Sequence, residues 1–277
     1  MTKLKIGDFN ELEILRTSLH GMFLSSSEGD ILLPKRYVTE SMQPGQMVEV
    51  FVYTDSQDRL VAVTDQPKAR VGDFASLLVK DVTTVGAFLD WGLEKDLMLP
   101  YREQLKPVQT GEKVVVKVIL DPRTKRVIAI SKINAFISKT AQDLEEGQPV
   151  SLLIFDQTPL GYKALIDQQY QGLIYKNEVF EPLSIGDEKK GFVKKVREDG
   201  HIDLSLQQQG VAGMKDAREV VLQSLQQAGG FLPLHDKSSP EDIQRHLQLS
   251  KKAFKKAVGI LYKERKIQLD DKGISLL

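Results

Sequence analysis

The stretch Gly86-Ala87-Phe88-Leu89-Asp90-Trp91, followed shortly by Asp96-Leu97-Met98-Leu99-Pro100, decides how this chain folds. Its alternation sets Ala87 and Leu89 on one face and Phe88 and Asp90 on the other, the period of a β-strand. The small apolar pair suits the inside of a barrel, which leaves Phe88 outside. Working outward, Leu77 to Val82 reads as a preceding strand and Leu97-Met98-Leu99 as a short following one. Val114 to Leu120 is a long β-branched run, Asp121 to Lys125 a turn, and Arg126 to Ile130 a last strand. Five short strands separated by turn residues predict a small closed barrel of about 65 residues.

The same pattern recurs along the chain. Gly7-Asp8-Phe9 returns as Gly72-Asp73-Phe74, and Gly21-Met22-Phe23-Leu24 as Gly86-Ala87-Phe88-Leu89. Asp30 to Pro34 returns as Asp96 to Pro100, and Arg59 to Val63 as Arg126 to Ile130. A fainter third copy keeps Gly147, Gly161 and Gly186. From the first to the second marker glycine is 14 residues in every copy (7 to 21, 72 to 86, 147 to 161). One small domain used repeatedly predicts an extended binding surface in place of a single catalytic cleft. The third copy has strand runs at Val150 to Phe155, Tyr162 to Asp167, Leu173 to Tyr175, Gly191 to Val196 and His201 to Leu206, with Asp199-Gly200 as a hairpin turn. Asn134 to Asp143 reads as a short helix or linker, and Gln207 to Gly210 as a hinge.

Beyond Met214 the period becomes helical. Ala217, Val221, Leu222 and Leu225 mark a first helix, ending before Gly229-Gly230. Ser239-Pro240-Glu241-Asp242 opens a second, and Ser250 caps a third with the stripe Ala253, Phe254, Ala257, Val258, Leu261. Ile267 to Leu269 and Ile274 to Leu277 flank the turn Asp270-Asp271-Lys272-Gly273. Three helices and a hairpin predict a winged helix-turn-helix. The expected class is mainly β with a C-terminal α+β module, in domains 1–66, 67–133, 144–208 and 211–277.

Composition narrows the function. The chain has no cysteine, which excludes thiolate metal sites and cysteine nucleophiles. Four scattered histidines (His20, His201, His235, His246) have no metal-ligand spacing, and no phosphate-binding glycine loop or nucleophile elbow is present. A binding protein is expected, with no enzyme activity and no cofactor. Neither a membrane span nor a signal peptide is legible, so a cytoplasmic location is expected. The 38 Lys/Arg balance 38 Asp/Glu overall, yet residues 211–277 carry 12 against 8. The densest basic block runs from Arg245 to Lys266.

Phe88 is the foremost candidate for stacking an unpaired base, with Phe23 on the same rung of the first repeat. The bland alternative is an aromatic covering a hydrophobic gap or a neighbouring domain. Trp91 either extends the platform or caps the barrel end. Arg126, just past the turn that starts at Asp121, could grip phosphate or stack; the alternative is an ion pair to Asp121. Arg59 is its first-repeat equivalent. Lys251, Lys252, Lys255 and Lys256 give the third winged-helix helix a basic face fit for a groove, or simply for solvent.

The repeats resemble the S1-type RNA-binding domain, an oligonucleotide-binding (OB) barrel, through Gly86 to Asp90, Asp96 to Leu99, Gly111 with its valine-rich strand, and Asp121 through Arg126. The whole chain, with Val82 to Leu93 and Gly191 to Gly200, resembles the bacterial conserved virulence factor B family. That resemblance implies tandem S1-type OB barrels followed by a winged helix, acting as an RNA-binding regulator of gene expression. An S1-type face carries two aromatics, a histidine, an aspartate and an arginine. Phe88 matches the second aromatic, and Asp121 and Arg126 the acid and the base, while Val85 stands for the first aromatic and Leu99 for the histidine. In the first repeat Phe23 and Arg59 match and His20 replaces the first aromatic; in the third Lys163 and His201 replace aromatic and arginine. Single-stranded RNA is the expected partner. The rivals are a DNA-binding transcription regulator reading duplex DNA through the winged helix, and an adaptor docking on ribosome or RNA polymerase.

Overall fold

The computed structural model describes residues 3–141, 143–179, 181–207, 211–247, 249–270 and 272–277, without the side chains of 211–216. Two compact units divide the chain, residues 1–137 and 138–277.

The first unit holds two closed barrels. Barrel 1 consists of β1 (Asp8–Ser18), β2 (Gly21–Leu24), β3 (Ile31–Pro34), β4 (Met47–Thr54) and β5 (Leu60–Val63). Barrel 2 consists of β6 (Phe74–Val82), β7 (Gly86–Asp90), β8 (Leu97–Pro100), β9 (Lys113–Leu120) and β10 (Val127–Ile130). Both run in the spatial order 1-2-3-5-4 and close on themselves, the arrangement of an OB fold. Every pairing is antiparallel except that of the third strand with the fifth. The long first strand must pair on both sides, with the second and the fourth. A bulge lets it turn that corner, between Ile14 and Arg16 in barrel 1 and between Val79 and Asp81 in barrel 2.

The marker glycines at the head of the second strand have a steric cause. A Cβ on Gly86 would lie 2.4 Å from the carbonyl oxygen of Leu99, and one on Gly21 only 2.0 Å from that of Leu33. Only glycine lets the second strand run this close over the third.

β4 explains how the two barrels join. Val50 and Val52 point into barrel 1, while Phe51 and Tyr53 point out and enter the core of barrel 2. There they meet Trp91, edge-on, at ring-centroid distances of 5.7 and 5.9 Å. Ala69 of the connecting segment joins the same core.

The second unit opens with the segment after a short 3₁₀ turn at Ile133–Phe136. Ser138 bridges to Tyr170, so part of the expected linker adds to a barrel; Gln142 within it lies outside the described residues. Barrel 3 consists of β11 (Pro149–Gln157), β12 (Gly161–Ile166), β13 (Tyr170–Tyr175), β14 (Glu188–Val196) and β15 (Ile202–Ser205), in the same closed order. Of the expected hinge at Gln207 to Gly210, all but Gln207 lies outside the described residues.

The C-terminal module has α1 (Val211–Gln227), β16 (Phe231–Leu232), α2 (Pro240–Leu247), α3 (Lys251–Lys263), β17 (Ile267–Leu269) and β18 (Ile274–Leu276). The hairpin gains a third strand that the sequence does not announce, giving the order β16-β18-β17. Ser239 accepts from the Asp242 amide at 3.0 Å and Ser250 from the Ala253 amide at 3.1 Å, capping α2 and α3. The hairpin turn closes on Asp270, whose carboxylate accepts from the amides of Lys272 and Gly273; Asp271 lies outside the described residues.

Candidate nucleic-acid interface

On barrel 2, Phe88 of β7 faces Met98 of β8, which faces Ile128 of β10. All three are half-buried on the outer side of the barrel, while Ala87, Leu89, Leu99 and Ala129 are sealed inside. The Phe88 ring therefore faces the surface. Leu99, matched to the histidine of the S1 pattern, points inward instead; strand alternation gives the outward place to Met98.

Two contiguous cavities, of about 760 and 370 Å³, run along this rung. They share Val85, Met98, Arg126 and Ile128. The larger is walled by Tyr101, Arg102, Asp121 and Arg123. The smaller holds Phe88 and Lys95 and is closed on its far side by Tyr53, Thr54 and Ser56 of barrel 1. Tyr101, 61% exposed, was not legible as a site residue. It follows β8 directly, where a short 3₁₀ turn brings its amide to the Val85 carbonyl at 3.2 Å. Arg102 and Arg123 were also missed; among the described residues neither forms an ion pair.

Arg126 does not pair with Asp121. Its Nε and Nη2 donate to the two carboxylate oxygens of Asp58, in the β4–β5 turn of barrel 1. That hydrogen-bonded guanidinium holds the Asp58 carboxyl below the usual carboxylate range, and Asp58 in turn raises Arg126. Asp121 serves its own turn, accepting from the Arg123 amide at 3.0 Å and the Thr124 hydroxyl at 2.7 Å; these bonds lower its pKa. Lys95 donates to the carbonyls of Thr54 and Asp55 at 2.7 and 2.8 Å, and burial depresses its pKa.

Trp91 is a correction. It is 2% exposed, wedged against Phe51 and Tyr53, and its Nε1 donates to the Lys95 carbonyl at 2.6 Å. No ring face is left for a base, so of the two readings the packing role holds.

The other barrels fill the same rung differently. On barrel 1, the Arg16 guanidinium lies over Phe23, and Arg16 also pairs with Asp30 at 2.6 Å. Arg59 forks onto Asp55 of its own turn at 2.7 and 2.9 Å. His20 is exposed in the β1–β2 turn. On barrel 3, Lys163 pairs with Asp156 at 2.9 Å, Arg197 with Asp203 at 2.9 Å, and His201 with Asp199 at 3.1 Å. Its outward rung of Asp156, Lys163, Leu173 and Asp203 contains no aromatic ring. In the winged helix, Lys252, Lys255 and Lys256 are exposed and Lys251 half-buried, while Phe254, Ala257, Val258 and Leu261 enter the core.

Among the described residues, no group of three or more His, Asp or Glu is placed to hold a metal ion. No described helix is long and apolar enough to cross a membrane.

Three tandem OB barrels ending in a winged helix define a multi-barrel protein of the S1-plus-winged-helix class. Residues 6–65 match the S1 domain model and residues 219–276 the CvfB-like winged helix domain model. The chain is 31% identical to uncharacterized protein YitL of Bacillus subtilis, over 89% of this chain and 85% of that one. It is 25% identical to conserved virulence factor B of Staphylococcus haemolyticus, over 86% and 82% respectively. Among solved structures, a multidomain protein with nucleic acid binding domains from Streptococcus pneumoniae is 23% identical over 98% of both chains, with a TM-score of 0.46. The chain belongs to the conserved virulence factor B family.

Proposed function

We propose that this protein binds nucleic acid, and specifically single-stranded RNA, through barrel 2, and acts as a non-enzymatic cytoplasmic regulator of gene expression. The observation that carries the reading is the outward, half-buried Phe88 ring lying in a groove with Arg102, Arg123 and Arg126 on its walls. A ring beneath and cations beside are what an unpaired base and its phosphates require. Tyr101 offers a second aromatic surface. The working modules are residues 1–66, 67–133, 144–208 and 211–277, with barrel 1 supporting barrel 2 and barrel 3 acting as a spacer or protein contact. The name of the staphylococcal relative, conserved virulence factor B, supports a link to virulence.

Fluorescence anisotropy of a labelled single-stranded RNA on the full chain tests this. Affinity is expected to fall steeply with salt, and to fall further for Phe88→Ala and Arg126→Ala. RNA affinity unchanged in both variants refutes it.

The lysine face of α3 favours a second reading, duplex DNA binding by the winged helix. Loss of duplex binding in Lys255→Ala, with no effect of Phe88→Ala on RNA, would select it. An adaptor docking on ribosome or polymerase is what remains if neither nucleic acid binds.

A further inference from the structure

The β4–β5 turn of barrel 1 is fastened beside the groove of barrel 2. Lys95 grips its Thr54 and Asp55 carbonyls, and the Asp55 carboxylate binds the amides of Gln57 and Arg59 at 2.8 and 3.0 Å. Asp58 sits at the end of this turn with φ 62, held in a left-handed conformation that an aspartate tolerates. Behind it, the Trp91, Phe51 and Tyr53 rings lock the two barrels together. The placement of Asp58 against Arg126 is thus built into the joint. The corresponding position in barrel 2 is Lys125, with φ 58. The same turn therefore carries an acid where it meets a neighbour's groove.

We infer that barrel 1 is a working part of the barrel 2 site: Asp58 is a resident counter-ion on Arg126 that an RNA phosphate must displace, and the slot behind the pair takes one base against Phe88. This rests on the single-stranded reading above. The slot, about 370 Å³, lies at the small end of ligand-pocket sizes, about 300–1,000 Å³, which suits a single nucleoside. Its floor is aromatic and its far wall carries the polar side chains of Thr54 and Ser56. The Arg126 and Asp58 side chains keep 42% and 50% of their surface in water, so the bond between them is weak enough to exchange. The two non-bridging oxygens of a phosphodiester offer the guanidinium the same forked geometry as the two carboxylate oxygens they replace. The released carboxylate then repels the incoming phosphate and recruits a cation, so Asp58 tunes both affinity and its salt dependence.

The test is Asp58→Asn in the full chain, titrated with a labelled single-stranded RNA across a salt series, alongside Arg126→Ala and the double variant. Asp58→Asn is expected to bind about threefold to tenfold tighter than wild type. Its plot of log affinity against log salt should be steeper by about 0.7, because no cation is taken up by a freed carboxylate. In the Arg126→Ala background the same change should leave the salt slope unaltered and gain clearly less affinity than in wild type, since no pair has to be broken and only the repulsion by the carboxylate is relieved. Thermal unfolding of Asp58→Asn should match wild type. Unchanged or weaker binding by Asp58→Asn, while Phe88→Ala still costs affinity, overturns this inference and leaves the single-stranded reading standing. Indifference of binding to both Phe88 and Arg126 overturns both.

Discussion

The guanidinium carbon of Arg16 lies 4.1 Å from the ring centroid of Phe23. On the same rung of barrel 2, the residue facing Phe88 is Asp81. A guanidinium lies over the first ring, and among the described residues no cation lies over the second. Phe88→Ala is therefore expected to weaken single-stranded RNA binding by about 1–3 kcal/mol, roughly 5- to 150-fold. Phe23→Ala should stay within about twofold. Parallel anisotropy titrations decide it, and equal losses would mean that Phe23 is uncovered in solution.

Trp91 is the sole tryptophan and its ring is shared by both barrels of the first unit. Trp91→Ala should destabilise this unit by roughly 3–5 kcal/mol, the cost of an emptied aromatic site. Denaturant unfolding followed by circular dichroism measures the loss. In wild type, fluorescence of that one residue should report separation of the joint.

Tyr53 is 4% exposed, and burial, with a smaller contribution from Tyr37, pushes its hydroxyl up to about 12. The unfolded chain ionises this group near 10. Its favourable contribution is thus intact below pH 10 and is lost as pH climbs from 10 through about 12. Ultraviolet titration of tyrosinate should reveal a late component that Tyr53→Phe deletes. The variant should also flatten the alkaline fall in stability over that window.

The α3 lysines can be separated from the groove by salt dependence. If Lys255 and Lys256 contact phosphate, each change to alanine should lower affinity for every sequence tested and reduce the salt slope by about one. The residual RNA binding should still respond to Phe88→Ala. A slope unaltered by both substitutions would assign this face to solvent.

The barrels were legible because their causes are local. Alternation fixed which way Ala87, Phe88 and Leu89 point, and turn residues punctuated the strands. The winged helix was legible through Ser239, Ser250 and the stripe from Phe254 to Leu261, although the two-residue strand at Phe231 is too short to leave a pattern. What escaped was non-local. The run Val50-Phe51-Val52-Tyr53 announces a strand covered on both sides, but nothing in it says that Trp91 is the cover. Arg126 and Asp58 lie 68 positions apart, while Asp121 stood close by in sequence and drew the expectation. Tyr101 escaped because it belongs to a connection and not to a strand. The groove's floor could thus be foreseen; its walls come from a connection of barrel 2 and from the β4–β5 turn of barrel 1, neither of which is marked by strand alternation.

The close passage of Gly86 over Leu99, repeated at Gly21 over Leu33 and at Gly161 over Ile174, separates two problems for this chain. How a barrel shuts is settled by a position where even one methyl group has no room. What a barrel holds is settled a few atoms away, by outward side chains that take no part in the closure. A copied barrel is therefore free to trade its aromatic ring for a lysine, or to mask it with an arginine, and still shut in the same way. Three likenesses in architecture can in this manner carry three unlike surfaces.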